Sequence, residues 1–189
     1  MIAFRHYLLG LGPLSDAAWE ALQPALSART MPKNSFLWKE GAVCHELFFL
    51  EEGVVRAVTN QDGIEKNLDF HLGGEVVTHL NSFATGLPAD YAVQVAERAR
   101  VIAVDKTRLF DAARQVPELE SVGKACLRLT AARLEEHARL FKLYSPSERY
   151  EYLERHRPEL LQRVSLTRLA SYLGVARETL SRIRRRRIL

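Results

Sequence analysis

Residues 165–187, SLTRLASYLGVARETLSRIRRRR, decide the reading of this chain. Leu166, Leu169, Ala170 and Leu173 recur at helical spacing, Gly174 can enter the left-handed backbone region that ends a helix, and Val175 can pack inward at the turn. A second helix is expected from Arg177. At about 100° per residue, Arg177, Glu178, Ser181, Arg182 and Arg185 fall on one face and Leu180 and Ile183 on the other. The spacing predicts a helix-turn-helix in which one face packs and the other reads DNA. Arginine can fork two hydrogen bonds to the major-groove edge of guanine, and glutamate can accept from the cytosine amino group. Ser181 suits a phosphate or a base edge. Arg184 to Arg187 cannot share one face; Arg186 and its neighbours are expected on phosphates, with a solvated basic tail as the alternative.

Charge is distributed accordingly. The chain has 189 residues and a net charge of +4. From Ser145 onward there are eleven arginines, no lysine and five glutamates, a net of +6, which leaves 16 basic and 18 acidic residues upstream, a net of −2. The surface for a polyanionic partner, double-stranded DNA, is therefore expected at the C-terminal end. No run of apolar residues approaches the roughly 18 to 20 of a membrane span, and the N-terminus lacks a signal-peptide pattern. A soluble, cytoplasmic protein without membrane contact is expected.

Cys44 and Cys126 lie in different expected elements without a CxxC or histidine-rich neighbourhood, so both read as small apolar residues rather than metal or redox groups. Two thiols cannot hold an iron–sulfur cluster, and His6, His45, His71 and His79 show no metal-binding spacing. No nucleophile–base pattern or phosphate-cradling glycine loop is present, so no enzyme activity and no cofactor are expected.

Working outward, Ser15 is expected to cap a helix running to about Leu26, after which the period changes. From about Ser35 to Asp105, short apolar runs alternate with turns, as in a small antiparallel barrel or sandwich. Pro117 then opens the longest helical pattern, with Leu119, Val122, Cys126, Leu129, Leu140, Phe141 and Tyr144 on one broad side. Val122, Cys126, Leu129 and Leu140 are read as a parallel homodimer seam, with a helix packed wholly on its own domain as the alternative; Arg133 and His137 interrupt the stripe and would set register or partner choice, or else face solvent. Ser145, Pro146 and Glu148 form a capping box that starts a further helix, and Pro158 starts another before Ser165. Three regions result: a sensor domain over 1–116, a central dimerisation helix over 117–144, and a helix-turn-helix domain over 145–189.

The segment GVARETLSRI, residues 174–183, resembles the recognition segment of the Crp/Fnr family of bacterial transcription regulators, with Gly174, Arg177, Glu178, Thr179, Ser181 and Arg182 in register. The resemblance implies an α+β chain: an N-terminal double-stranded β-helix of the cyclic-nucleotide-binding, jelly-roll type, a long central helix and the DNA module. By that likeness Arg177, Glu178 and Arg182 contact bases. The family's sensor has a strand before a glycine turn, here Gly41, a hairpin within LFFLEEGVVRAV turning at Gly53, and another turning at Asp62 and Gly63.

The sequence also departs from the family. Hairpins usually flank the helix-turn-helix; here only a Pro158–Val164 connector precedes it and the chain stops at Leu189, so a reduced or absent wing is expected. Cyclic-nucleotide binders hold the phosphate with an Arg-Ser or Arg-Thr pair and the ribose with a Gly-Glu pair. In GGEVVTHLNSFATGLPADYAVQV (73–95) the Gly-Glu position reads Thr78-His79, the arginine position falls on Ala89 or Asp90, and Leu134-Glu135 stands where cAMP-responsive members carry a Thr-Ser pair. Gly74 and Glu75 match a preceding structural turn. The expected function is a homodimeric, sequence-specific transcription regulator with a palindromic operator and a degenerate sensor that does not bind cAMP. A pocket lined by Thr78, His79, Asn81, Ser82 and Tyr91 is expected to take an unidentified small-molecule effector. The alternative is a ligand- or protein-binding adaptor with a vestigial DNA module.

Overall fold

The computed structural model describes residues 1–188, with side chains to Arg186. In chain order it has α1 (Ile2–Leu11), α2 (Asp16–Leu22), a short 3-10 turn (Gln23–Ala25), β1 (Leu26–Met31), β2 (Phe36–Trp38), β3 (Glu46–Gln61), β4 (Ile64–Leu72), β5 (Val76–Val77), α3 (Leu80–Thr85) and β6 (Ala92–Asp105). Six helices follow among the described residues: α4 (Lys106–Gln115), α5 (Pro117–Leu143), α6 (Pro146–His156), α7 (Pro158–Arg163), α8 (Leu166–Leu173) and α9 (Arg177–Ile188). Ser15 caps α2, its hydroxyl accepting the Ala18 N–H at 3.2 Å. The helix ends at Leu22 rather than Leu26, because Pro24 brings no N–H to the ladder and Leu26 already pairs with Val104.

The sheet runs β1-β6-β3-β4, with β2 also on β6 and β5 on β3. Gly53 is not a hairpin turn. It lies inside β3, which pairs antiparallel with β6 from Glu46–Asp105 to Val58–Ala92 while the register shifts around it. Its φ is +111°, and a Cβ there would stand 2.7 Å from the Ala99 Cα, so only glycine lets the strand bend this close to β6. The expected turn at Asp62 and Gly63 is present: both have positive φ, 55° and 80°, as a two-residue hairpin joining β3 to β4 requires.

Three apolar clusters organise the chain. One fills the roll itself, from Trp38, Phe48 and Leu50 to Val95 and Val101, and includes Cys44. A second packs α1, α2, α4 and the start of α5 against Phe49, Ile102 and Val104. The third joins the C-terminal helices to Val54, Phe70 and Leu72 of the sheet, so the helical module has no core separate from the barrel. Ser171 Oγ accepts the Asn67 backbone N–H at 3.0 Å, and Arg163 pairs with Glu97.

α5 corrects the expected seam. Val122 is 4 % exposed within the N-terminal cluster and Leu140 3 % exposed near the C-terminal module. The Cys126 Sγ meets the Tyr7 hydroxyl at 3.9 Å. These three residues face their own chain. Leu129 is exposed and, like Leu134, lines the rim of a cavity described below. The face α5 leaves uncovered carries Leu127 and Leu134, each 54 % exposed, with Ala131 and Ala138 exposed beside them. Helical period identifies an apolar stripe but not the body that covers it.

Candidate nucleic-acid interface and sensor cavity

Gly174 ends α8 in the left-handed region, φ +71°, and the Val175 N–H returns to the Ala170 carbonyl at 3.0 Å. α9 starts at Arg177, as its spacing predicts. Leu180 is fully buried with Leu169, Leu173 and Tyr150, and Ile183 packs against the same cluster. On the outer side Arg177, Glu178, Arg182, Arg185 and Arg186 are exposed. Arg177, Glu178, Ser181, Arg182 and Arg185 share one shallow concavity with Leu166. The Arg187 side chain lies outside the described residues.

The helix pair is fixed from below by Arg149. Its guanidinium donates to the carbonyls of Leu173 at 3.0 Å, Phe141 at 2.9 Å and Tyr144 at 2.9 Å. These carbonyls close α8 and α5, so one arginine satisfies helix-end acceptors that would otherwise be unpaired. Among the described residues no strand follows β6.

The second site is a cavity of about 540 Å³ between the barrel and α5. Thr78, His79, Asn81 and Tyr91 line it as expected. Ser82 does not: it lies on the buried side of α3, its hydroxyl accepting the Cys44 N–H at 2.9 Å. The His79 Nδ1 accepts the Ser82 N–H at 3.1 Å and its Nε2 meets the Asp90 Oδ1 at 2.7 Å. Both ring nitrogens are thus committed, the geometry of a positioned structural imidazole. Its ring lies 4.5 Å from that of Tyr91, whose phenol burial pushes up to about 12.

The sequence places no arginine in the 73–95 cassette, but α5 brings one. Arg133 reaches across about sixty residues: it pairs with Glu75, meets His71 Nδ1 at 2.8 Å and donates to Asp69 at 3.1 Å and the Phe70 carbonyl at 2.8 Å. Arg157, between α6 and α7, reaches the same group from the other side, at 2.9 Å from Glu75 and 3.0 Å from the Phe70 carbonyl. Burial alone would raise the Glu75 carboxyl, yet the His71 hydrogen bond and the charges of Arg133 and Arg157 outweigh it and hold the group down to about 2. Arg133 is therefore an intramolecular tie rather than a register residue of a dimer seam, with Nη1 and Nη2 both engaged within the chain. His137 also turns inward, stacking near Phe141 and Tyr172 at 4.6 and 5.8 Å, and burial lowers its pKa. A polar residue interrupting an apolar helix stripe was the available signal for both.

Comparison with known proteins agrees with this architecture. Residues 28–115 match the family model of the cyclic nucleotide-binding domain. The fold is similar to that of the c-di-GMP-responsive global regulator CLP of Xanthomonas campestris, at 18 % identity over 91 % of each chain with a TM-score of 0.71. It is also similar to FixK2 of Bradyrhizobium japonicum, at 22 % identity over 85 % of this chain and 83 % of that one, TM-score 0.70. The catabolite activator protein of Thermus thermophilus matches at 20 % identity over 91 % and 83 %, TM-score 0.56. No curated protein matches in sequence. The chain thus pairs a cyclic-nucleotide-binding-type barrel with the overall fold of Crp/Fnr-type regulators. No helix among the described residues is long and apolar enough to cross a membrane.

Proposed function

We propose that the chain is a homodimeric, sequence-specific DNA-binding regulator whose barrel answers to an effector other than a cyclic nucleotide. The observation that carries this reading is α9, with Leu180 locked inward and Arg177, Glu178, Ser181, Arg182 and Arg185 grouped on the open face. That division is what insertion of one helix into the major groove requires. With a selected duplex, Arg182→Ala should lose roughly 1 to 3 kcal/mol and relax preference at the bases it reads. Arg186→Ala should weaken all duplexes alike and flatten the salt dependence. Wild-type affinity in both variants would refute the assignment.

A twofold operator needs a twofold protein. The seam we assign is Leu127, Ala131, Leu134 and Ala138, which replaces the three buried residues of the sequence-based seam. A charge placed there stays exposed in a single chain but is buried without a partner in a dimer, so Leu127→Glu should yield folded monomers that bind DNA weakly. Sedimentation of the wild-type chain as a monomer at working concentration would contradict the seam. Effector control has a physical route, since Asp69, Glu75, Arg133 and His137 line both the cavity and the crevice that holds Arg157 and Tyr172. Occupancy of the cavity would bias how the C-terminal helices sit on the barrel, and with it the separation of the two α9 helices.

A further inference from the structure

We infer that the His137 ring is a proton-released catch between the sensor barrel and the helical module: uncharged, it holds α8 against α5 and the sheet, and charged, it lets α8 go. The consequence for DNA binding rests on the reading of α9 as the base-reading helix.

Three elements meet at this ring. It reaches from α5 to the Leu68 backbone of β4, its centroid lies 5.8 Å from that of Tyr172 on α8, and Phe141 flanks it at 4.6 Å. Tyr172 in turn stands edge-on to Phe70 of the sheet at 5.5 Å. α8 thus meets the barrel through a stack of rings that includes His137. The two ring nitrogens are unequal. Nε2 is buried with no hydrogen-bond partner, so the contact with the Leu68 backbone belongs to Nδ1. The neutral ring therefore carries its proton on Nδ1 and an unpaired lone pair on Nε2. A second proton can bind only at Nε2, where it would be buried without an acceptor, so the charged ring has to leave its seat.

The surrounding groups do not cancel that charge. β4 brings Asp69 and His71, the turn before β5 brings Glu75, α5 brings Arg133 and Glu136, and α6 with the turn after it brings Tyr152, His156 and Arg157. Asp69 and Glu75 are matched by Arg133 and Arg157, and Glu136 accepts from the Tyr152 hydroxyl. Burial is the largest influence on the ring and holds its pKa below the ordinary 6.5, opposed by Asp69 and the Leu68 backbone and reinforced by Arg133 and Arg157. A base that is harder to protonate in the folded chain than in the unfolded one lends the joint a stability that is complete above about pH 6.5. That stability is lost as the pH falls from there through the lower folded value.

Hydrogen exchange of the full chain between about pH 7.5 and 5.5, corrected for the intrinsic pH dependence of exchange, tests the catch. The α8 amides should lose protection several-fold over this interval while those of the β3–β6 ladder keep theirs. His137→Asn keeps a donor at the place of Nδ1 and cannot be charged, so its α8 should stay protected throughout. His71→Asn, which keeps an acceptor for Arg133, should behave as the wild type. Protection of α8 that is flat with pH in the wild type, or a loss that persists in His137→Asn, would overturn the proposal. If His137→Asn does not fold, NMR titration of the wild-type ring decides: a midpoint below the ordinary histidine value, shared by the α8 resonances, supports the catch, and any other result overturns it. Affinity for a selected duplex, measured on the same preparations, should fall with α8 protection in the wild type and hold in His137→Asn. If the α8 transition is present and no duplex is bound at either pH, the regulator reading falls and the catch stands; if a duplex is bound and α8 protection is flat, the catch alone falls.

Discussion

Arg133→Ala should destabilise the chain by about 3 kcal/mol, because it strips a partly buried pair of carboxylates of one of their two guanidinium partners and leaves the Phe70 carbonyl with Arg157 alone. The acid side of the stability curve should change with it. The folded-state pKa of Glu75 lies at about 2, below its ordinary value. Its contribution is therefore fully present above about pH 4.5 and is lost as the pH falls toward 2, where the carboxyl protonates in the folded state as well. A shift of this size corresponds to about 3 kcal/mol at neutral pH. In the variant the carboxyl should titrate nearer its ordinary value, so the loss on acidification is smaller and is complete at higher pH. Urea unfolding between pH 2 and 7 measures both effects. Equal stability of the two proteins at neutral pH would mean that Arg133 ties nothing together.

Titration with cAMP or cGMP should give no binding in the micromolar range. Ala89 is buried with its N–H donating to the Ala42 carbonyl, and its neighbour Asp90 is the residue that faces the cavity. The region that should grip a cyclic phosphate therefore offers a negative charge. Loss of one buried charge-assisted pair costs about 2 to 5 kcal/mol, and each 1.4 kcal/mol is tenfold in affinity, so a micromolar site would weaken to roughly submillimolar or beyond. Calorimetric binding of either nucleotide at micromolar concentration, with a gain in DNA affinity, would reverse this expectation.

The two ends of the chain differ in how much their residues disclose. The turn at Gly174, the start of α9 at Arg177 and the Asp62–Gly63 hairpin are local: each depends on backbone conformation or on a period within a few residues, so each can be read directly. β1 could not be read this way. Its residues, LSARTM, are mostly exposed on an outer strand, and a pattern with no buried face has no alternation to detect. Gly53 looked like a turn because a glycine between two apolar runs is the usual mark of one, whereas the close approach of Ala99 that requires it lies 46 residues away. The cavity was half legible. Thr78, His79, Asn81 and Tyr91 are neighbours in one cassette, but Leu129, Thr130, Arg133 and Leu134 arrive from α5. Ser82 carries the same polar signal as its neighbours and points the other way, to cap a backbone N–H.

The most direct test of a DNA-reading regulator is repeated selection of bound duplexes from a random-sequence pool by the full chain at fixed, stated salt. The account predicts enrichment of one palindromic motif, its half-sites separated by about one helical turn, with a preference at the half-site bases that relaxes in Arg182→Ala. A pool that remains random, bound only through a salt-sensitive interaction with any duplex, would contradict it and leave α9 as a basic surface on a ligand- or protein-binding adaptor.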